Sequence, residues 1–269
     1  MTLIEALQKL PLYDELKELT VNKYINGDSP TTSEILNFIK KHGVIGYEVF
    51  KAHSLVEGLY CYPTKELEIF LKEQIKQYKN PIEIGAGNGY LNKIIGIKGT
   101  DSKIQLTPMI RMYYEAKNHY PLHYINNTVE KLTDLEAISK HRPDLIIASW
   151  VTQKTSPDKY NEGFVHGVQE IEWLKKDFVK KYIFIGNFKT HMNKDIFNKK
   201  KLKKIIKSKK DKVGFDIEFI LGGGSFSRSD LVEQNFISVI TKNDSGKVTF
   251  KTTDKRNIQN FVFNLQELL

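Results

Sequence analysis

The chain has 269 residues, of which 40% are apolar, including 15 Phe and 13 Tyr. That is enough to bury a substantial core, and it excludes a disordered protein. A single cysteine, Cys61, excludes a disulfide framework and a cysteine-only metal cluster and predicts a reducing, cytoplasmic setting. The net charge of +9 is local: residues 194–212 carry ten lysines against Asp195 and Asp211, a balance of +8, so the remainder is nearly neutral.

The first residues, Met1 to Lys9, lack the basic-then-apolar layout of a signal peptide. No apolar run approaches the ~20 residues of a membrane span, so no membrane association is expected. Residues 1–60 read as an N-terminal helical segment, distinct from residues 61–269. Leu3, Ile4, Leu7 and Leu10 mark one amphipathic helix, and Leu12, Leu16 and Leu19 a second. After the turn at Gly27–Pro30, Thr31 or Thr32 caps a helix through Ile35, Phe38 and Ile39 that Gly43 is expected to end. Residues 44–62 are aromatic and ambiguous. The absence of a Gly/Ser linker predicts that this segment packs on the remainder of the chain. Tyr62-Pro63-Thr64 then opens a helix running to about Tyr78.

Residues 81–101 are the centre of the chain. Ile82–Ile84 reads as the end of a buried strand and Gly85-Ala86-Gly87-Asn88-Gly89 as a tight turn. Leu91, Ile94 and Ile95 have the spacing of a short helix stopped by Gly96. Ile97–Asp101 is a second strand with an acid at its tip. Strand, glycine turn, helix, strand and acid make the layout of a nucleoside-binding crossover: glycines admit a ligand close to the backbone, and the acid can accept both ribose hydroxyls.

Strands alternate with helices beyond Asp101. A helix or helical loop is expected over 103–118, a short third strand at Leu122–Ile125, a helix at Leu132–Lys140 and a central strand within Pro143–Val151. Next come a helix at Glu170–Lys180, a strand at Tyr182–Gly186, the lysine-rich helix, and two closing strands at Phe215–Leu221 and Phe236–Thr241. A turn at Asn243–Gly246 leads to another short strand, and a terminal helix is expected over Gln259–Leu268. The pattern implies an α/β fold in three layers.

Glu83-x-Gly85-x-Gly87-x-Gly89 with Asp101 resembles the first motif of the class I, Rossmann-like methyltransferases that depend on S-adenosylmethionine (SAM). The dinucleotide fingerprint, G-x-G-x-x-G, has a different spacing. The resemblance covers roughly residues 62–242 and implies a mainly parallel, seven-stranded sheet with an antiparallel closing strand. It also implies SAM as cofactor, with Glu83, Gly85, Ala86, Gly87, Asn88, Gly89 and Asp101 holding it and Glu83 meeting an ammonium. Thr128, Val129 and Glu130, after the third strand, become candidates for adenine contacts, although Glu130 is equally readable as a surface acid. Ser149 and Trp150, after the fourth strand, would border cofactor and acceptor, unless Trp150 only packs the core. Tyr62 and Thr64 could touch the cofactor or simply start a helix.

Methyl transfer is an in-line displacement in which the protein mainly aligns the partners. His191 and His166 are candidate bases where the acceptor carries a proton, against the plainer reading of hydrogen-bonding histidines. No metal-ligand spacing is present. Ala148-Ser149-Trp150-Val151 departs from the acid-or-Asn, double-proline, aromatic pattern of the enzymes that methylate exocyclic amines. Cys61, upstream of the cofactor motif and preceded by a tyrosine, is not placed as a cytosine-C5 nucleophile, so neither exocyclic amines of bases nor cytosine C5 are expected as acceptors. The acceptor stays unidentified, a small molecule or nucleic acid being favoured. The 194–212 stretch is either a solvated helix face or a phosphate-binding one. Two alternatives stay open: a non-catalytic SAM- or nucleic-acid-binding module, and an NAD-type oxidoreductase.

Overall fold

A computed structural model describes residues 2–116, 128–154, 167–208, 213–221, 226–227 and 235–254. The N-terminal segment is helical because its caps are well placed. Helix α1 (Leu3–Leu7) and helix α4 (Thr32–Val56) begin at Thr2 and Thr31, each in a reciprocal capping box with a Glu three residues on. Helix α2 (Pro11–Lys17) has proline at its first position; a π-helical turn (Glu18–Asn22) carries it into α3 (Lys23–Ile25). Gly43, at φ 56°, ψ −139°, is a non-helical kink that ends the first helical stretch of α4 as the sequence predicts; a second stretch follows directly, so the ambiguous residues beyond it are helical to Val56. Leu16, Tyr24, Ile35, Val49 and Phe50 form a buried cluster that also takes in Tyr62, Tyr90 and Ile94. The segment thus shares its core with the helix after the glycine turn.

The sheet is built from β2 (Pro81–Ile84), β3 (Lys98–Asp101), β4 (Val129–Lys131), β5 (Leu145–Ser149), β6 (Lys181–Asn187), β7 (Gly214–Leu221), β9 (Asn235–Asn243) and β10 (Val248–Asp254). Their order is β10-β7-β9-β6-β5-β2-β3-β4. The strands from β4 to β6 are parallel, and β9 is antiparallel to both its neighbours. The class is the expected Rossmann-like α/β one, with eight strands in this sheet in place of seven. The eighth, β10, pairs in parallel with β7 and covers an edge that would otherwise present unpaired backbone groups. A separate two-stranded pair joins β1 (Cys61–Tyr62) to β8 (Phe226–Ser227).

Alternation along the central strands fixes both faces. Ile146, Ala148, Tyr182 and Phe184 pack into one buried cluster, and Leu145, Ile147, Ile183 and Ile185 into the other. Helices cover the sheet: α5 (Lys65–Ile75), α6 (Tyr90–Ile95), α7 (Pro108–Ala116), α8 (Asp134–His141), α9 (Glu170–Leu174), α10 (Phe188–His191) and α11 (Lys199–Ser208). The strand paired with β3 is Val129–Lys131, so the third strand lies later than the sequence reading placed it. Leu122–Ile125 and the terminal helix expected over 259–268 fall outside the described residues. Among the described residues no helix is long and apolar enough to cross a membrane.

Candidate active site

Connections diverge from β2: β3 and β4 lie to one side, β5 and β6 to the other. Ligands of open α/β sheets sit at the carboxyl ends of strands beside such a switch. A cleft of about 560 Å³ lies there, with Glu83, Gly85, Ala86, Gly87, Asn88, Asp101, Ser149 and Trp150 on its walls. Gly85 (φ 70°) and Gly87 (φ 55°) are left-handed, and a Cβ on Gly85 would stand 2.4 Å from Val151 Cγ1. The turn is therefore closed to side chains, leaving bare backbone against the cleft.

The two acids differ in their surroundings. Glu83 is 2% exposed, and its Oε2 has no hydrogen-bond partner among the described residues. Burial, with the nearby Asp101 charge adding to it, pushes its pKa up to about 8. Asp101 is fixed as an acceptor: Oδ2 takes the Gly87 N–H at 3.0 Å and Oδ1 the Lys103 N–H at 2.7 Å. A carboxylate oxygen can accept from more than one donor at a time. Asn88 turns away from the ligand side and donates through Nδ2 to Glu57 O at 3.0 Å, tying the glycine turn to the end of α4.

Three stretches that the sequence reading passed over complete the walls. Gly58, Leu59 and Tyr60 come from the N-terminal segment, Leu132–Leu135 from the β4–α8 junction, and Ile104, Gln105, Met109 and Ile110 from the β3–α7 region. Tyr60 and Trp150 stand with ring centroids 6.3 Å apart and planes inclined by 29°. Trp150 has a left-handed backbone (φ 57°), an uncommon state for a bulky residue, held by its N–H on Ile185 O at 2.9 Å. Cys61 also borders the cleft, and burial pushes its thiol up to about 12, which leaves it inert as a nucleophile.

Several candidates lie elsewhere. Tyr62 is fully buried in the N-terminal cluster, where its hydroxyl pairs with His53 Nδ1 at 2.9 Å. Thr64 is the N-cap of α5, accepting from Leu67 N, so helix initiation accounts for it. Gly89 caps α6, and a Cβ there would meet Val129 Cγ2 at 2.6 Å; it holds the turn against the sheet without lining the cleft. Thr128, Val129 and Glu130 do not line the cleft. Glu130 pairs with Lys140 and with His141 Nε2 (2.7 Å), as the surface-acid reading has it. Beyond β4, Leu132–Leu135 line the cleft instead.

His191 corrects the candidate-base reading. It is 2% exposed, sits behind Trp150 with its ring edge-on at 4.9 Å, and does not line the cleft. Nδ1 accepts from Asn187 N at 3.0 Å, and burial lowers its pKa to about 3. It is a neutral prop for Trp150. His166 lies outside the described residues. Among the described residues no group of His, Cys, Asp and Glu could hold a metal ion.

The lysine-rich stretch divides in two. Lys194 is buried and paired with Glu170 at 2.7 Å, a structural ion pair. In α11, Leu202 and Ile205 are buried, whereas Lys199, Lys200, Lys201, Lys203 and Lys204 are exposed. Lys201 and Lys204 border a second groove of about 470 Å³ that shares Lys154, Val168 and Gln169 with the cleft.

Comparison of the sequence with protein-family models finds no match, and comparison with curated protein sequences finds none. Among solved structures, the chain is similar to the 23S rRNA methyltransferase ErmE (9% identity, 67% of this chain and 69% of that one, TM-score 0.35). It is also similar to the plantazolicin methyltransferase BpumL, solved with SAH (13%, 65% and 82%, TM-score 0.35). A third is the mitomycin 7-O-methyltransferase MmcR (11%, 89% and 71%, TM-score 0.35). At this level the likeness adds nothing to the strand order itself; the functional reading rests on the cleft.

Proposed function

We propose that this protein is a SAM-dependent methyltransferase whose cofactor lies in the cleft at the ends of β2, β3 and β5. The observation that carries the reading is the Glu83 carboxyl: buried, on the cleft wall and with an unpartnered oxygen. Burial raises the pKa of this acid, and the ammonium of a methionine-type ligand at the open oxygen would favour its ionised form. Asp101, held by two backbone amides, presents its carboxylate to a ribose, and the Gly85–Gly87 backbone admits the ligand between them. Residues Leu132–Leu135 border the adenine end. When bound, SAM would supply an activated methyl group on its sulfonium for transfer to an acceptor lone pair, with a neutral thioether as the leaving group.

The chain's own contribution is alignment and exclusion of water. The walls from Tyr60, Trp150 and Met109 are the acceptor side, and no side chain is assigned as base. Catalysis by positioning alone suits an in-line displacement. A nucleic-acid partner for the lysine-rich stretch belongs to the same proposal, supported by the junction of the α11 groove with the cleft. So does a cytoplasmic location, supported by the lone, unbridged Cys61.

The test is a thermal-shift titration with S-adenosylhomocysteine (SAH), SAM and NAD on wild type and Asp101→Ala. Ligand at about 100 times its Kd adds ~2.7 kcal/mol, which raises the midpoint by about 5–10 °C at this size. A rise with SAH and SAM, diminished in the variant, supports the reading; a rise with NAD alone overturns it.

A further inference from the structure

Resting on that methyl-transfer reading, we propose that the acceptor is a base of an unpaired nucleic-acid strand. The base stacks on Trp150 and Tyr60, and the strand's phosphates follow the groove bordered by Lys154, Lys201 and Lys204. Two kinds of observation, the aromatic pair and the placement and concentration of lysine charge, converge on this assignment.

The first is the aromatic pair. Both rings are part-exposed on the cleft wall, with centroids 6.3 Å apart and planes inclined by 29°, so together they form an aromatic wall on which a planar ring can stack. Trp150 is kept there at the expense of a left-handed backbone, with His191 edge-on behind it and its N–H fixed on Ile185 O. A tryptophan whose only role was core packing would need neither the strained backbone nor a ring facing the cleft.

The second is the charge beside it. The groove continuous with the cleft is bordered by Lys154, Lys175, Lys201 and Lys204 against Glu172 and Asp195, because Glu170 is already neutralised by buried Lys194. Lys175 reaches Glu172 at 2.6 Å and Lys201 reaches Asp195 at 2.6 Å. This charge is also concentrated: almost the whole net charge of the chain falls in the stretch containing this helix, whose other lysines, Lys199, Lys200 and Lys203, extend the exposed basic surface.

A ring-binding wall joined to a basic groove selects a polymer that carries planar rings and regularly spaced anions together. Acidic peptides offer the anions without the rings, and small aromatic acceptors offer a ring without needing the groove. The strand is unpaired because a base inside a duplex stack cannot reach a wall set at the strand ends of the sheet. Single strands are held in this way by stacking platforms combined with basic grooves.

The test is fluorescence anisotropy with labelled single-stranded RNA, single-stranded DNA and a duplex of the same sequence, in the presence of SAH, with poly-glutamate as competitor. Variants are Trp150→Ala, Tyr60→Ala and Lys201→Glu/Lys204→Glu, each first checked for its SAH-induced thermal shift. We expect a single strand to bind more tightly than the duplex, RNA or DNA being identified by whichever arm is tighter. The lysine pair should weaken binding and reduce the salt slope by about 1–1.5. Loss of either ring should weaken binding roughly ten- to a hundredfold with the salt slope unchanged. Equal binding of duplex, displacement by poly-glutamate, or indifference to both ring variants overturns the inference. An intact SAH shift with no strand binding also overturns it and leaves the cofactor reading standing; loss of the SAH shift in wild type removes the cofactor reading itself.

Discussion

Glu83 and Asp101 are both carboxylates on one cleft wall, yet their surroundings set them different tasks. Asp101 has its geometry imposed by the amides of Gly87 and Lys103, whereas Glu83 carries an unfilled acceptor. An acid whose folded pKa lies above its unfolded value holds its proton longer in the fold. Stability therefore declines as pH rises from about 4.5 to about 8 and levels off above. Glu83→Gln removes that decline. Without ligand, the variant's thermal midpoint should gain on wild type progressively across this window, by a few degrees at pH 9, while its affinity for SAH drops roughly tenfold or more for want of the charge. Midpoints measured at pH 5 and pH 9 decide it: an equal difference at both ends would show that Glu83 is not held neutral by the fold.

Caps and glycines govern what happens at the level of elements. Gly43 breaks α4 at a φ/ψ combination closed to other residues, and a Cβ there would meet nothing within 4 Å. Gly43→Ala should accordingly cost about 1–3 kcal/mol by backbone strain alone, lowering the midpoint by ~2–4 °C per kcal/mol. An unchanged midpoint would show that the break is not required. The same segment shows how far local spacing reaches. Thr31 announces the start of α4 and Gly43 the break within it, but the aromatic residues beyond Gly43 carry no spacing that announces a second helical stretch. The misplacement of β4 has a similar cause. Thr133 and Glu136 form a capping box that starts α8, and β4 lies just before it. The apolar letters at 122–125 outweigh that signal in the sequence.

Over the whole molecule, the readable features are those encoded by local spacing: the glycine turn, the two acids and the alternation that builds a parallel sheet. Contacts that join distant parts of the chain are not readable. Tyr60 reaches Trp150 only because the N-terminal helices dock on α6 through Tyr24 and Tyr90, whose rings lie 5.2 Å apart. His191 looks available for catalysis because it comes after a strand end, and only the packing of Trp150 and Phe184 around it shows it to be a buried support. The lysine run cannot reveal that Lys194 turns inward to Glu170 while α11 faces a groove leading to the cleft.

Calorimetric titration of SAH at pH 7, in two buffers of different ionisation enthalpy, tests the central claim most directly. Glu83 is mostly protonated at that pH before binding and must ionise to meet an ammonium. Binding should therefore release close to one proton, and Glu83→Gln should abolish the release. Binding with no proton released would contradict the pairing of Glu83 with the ammonium, and no binding by folded protein would contradict the assignment of this cleft to a methionine-type cofactor.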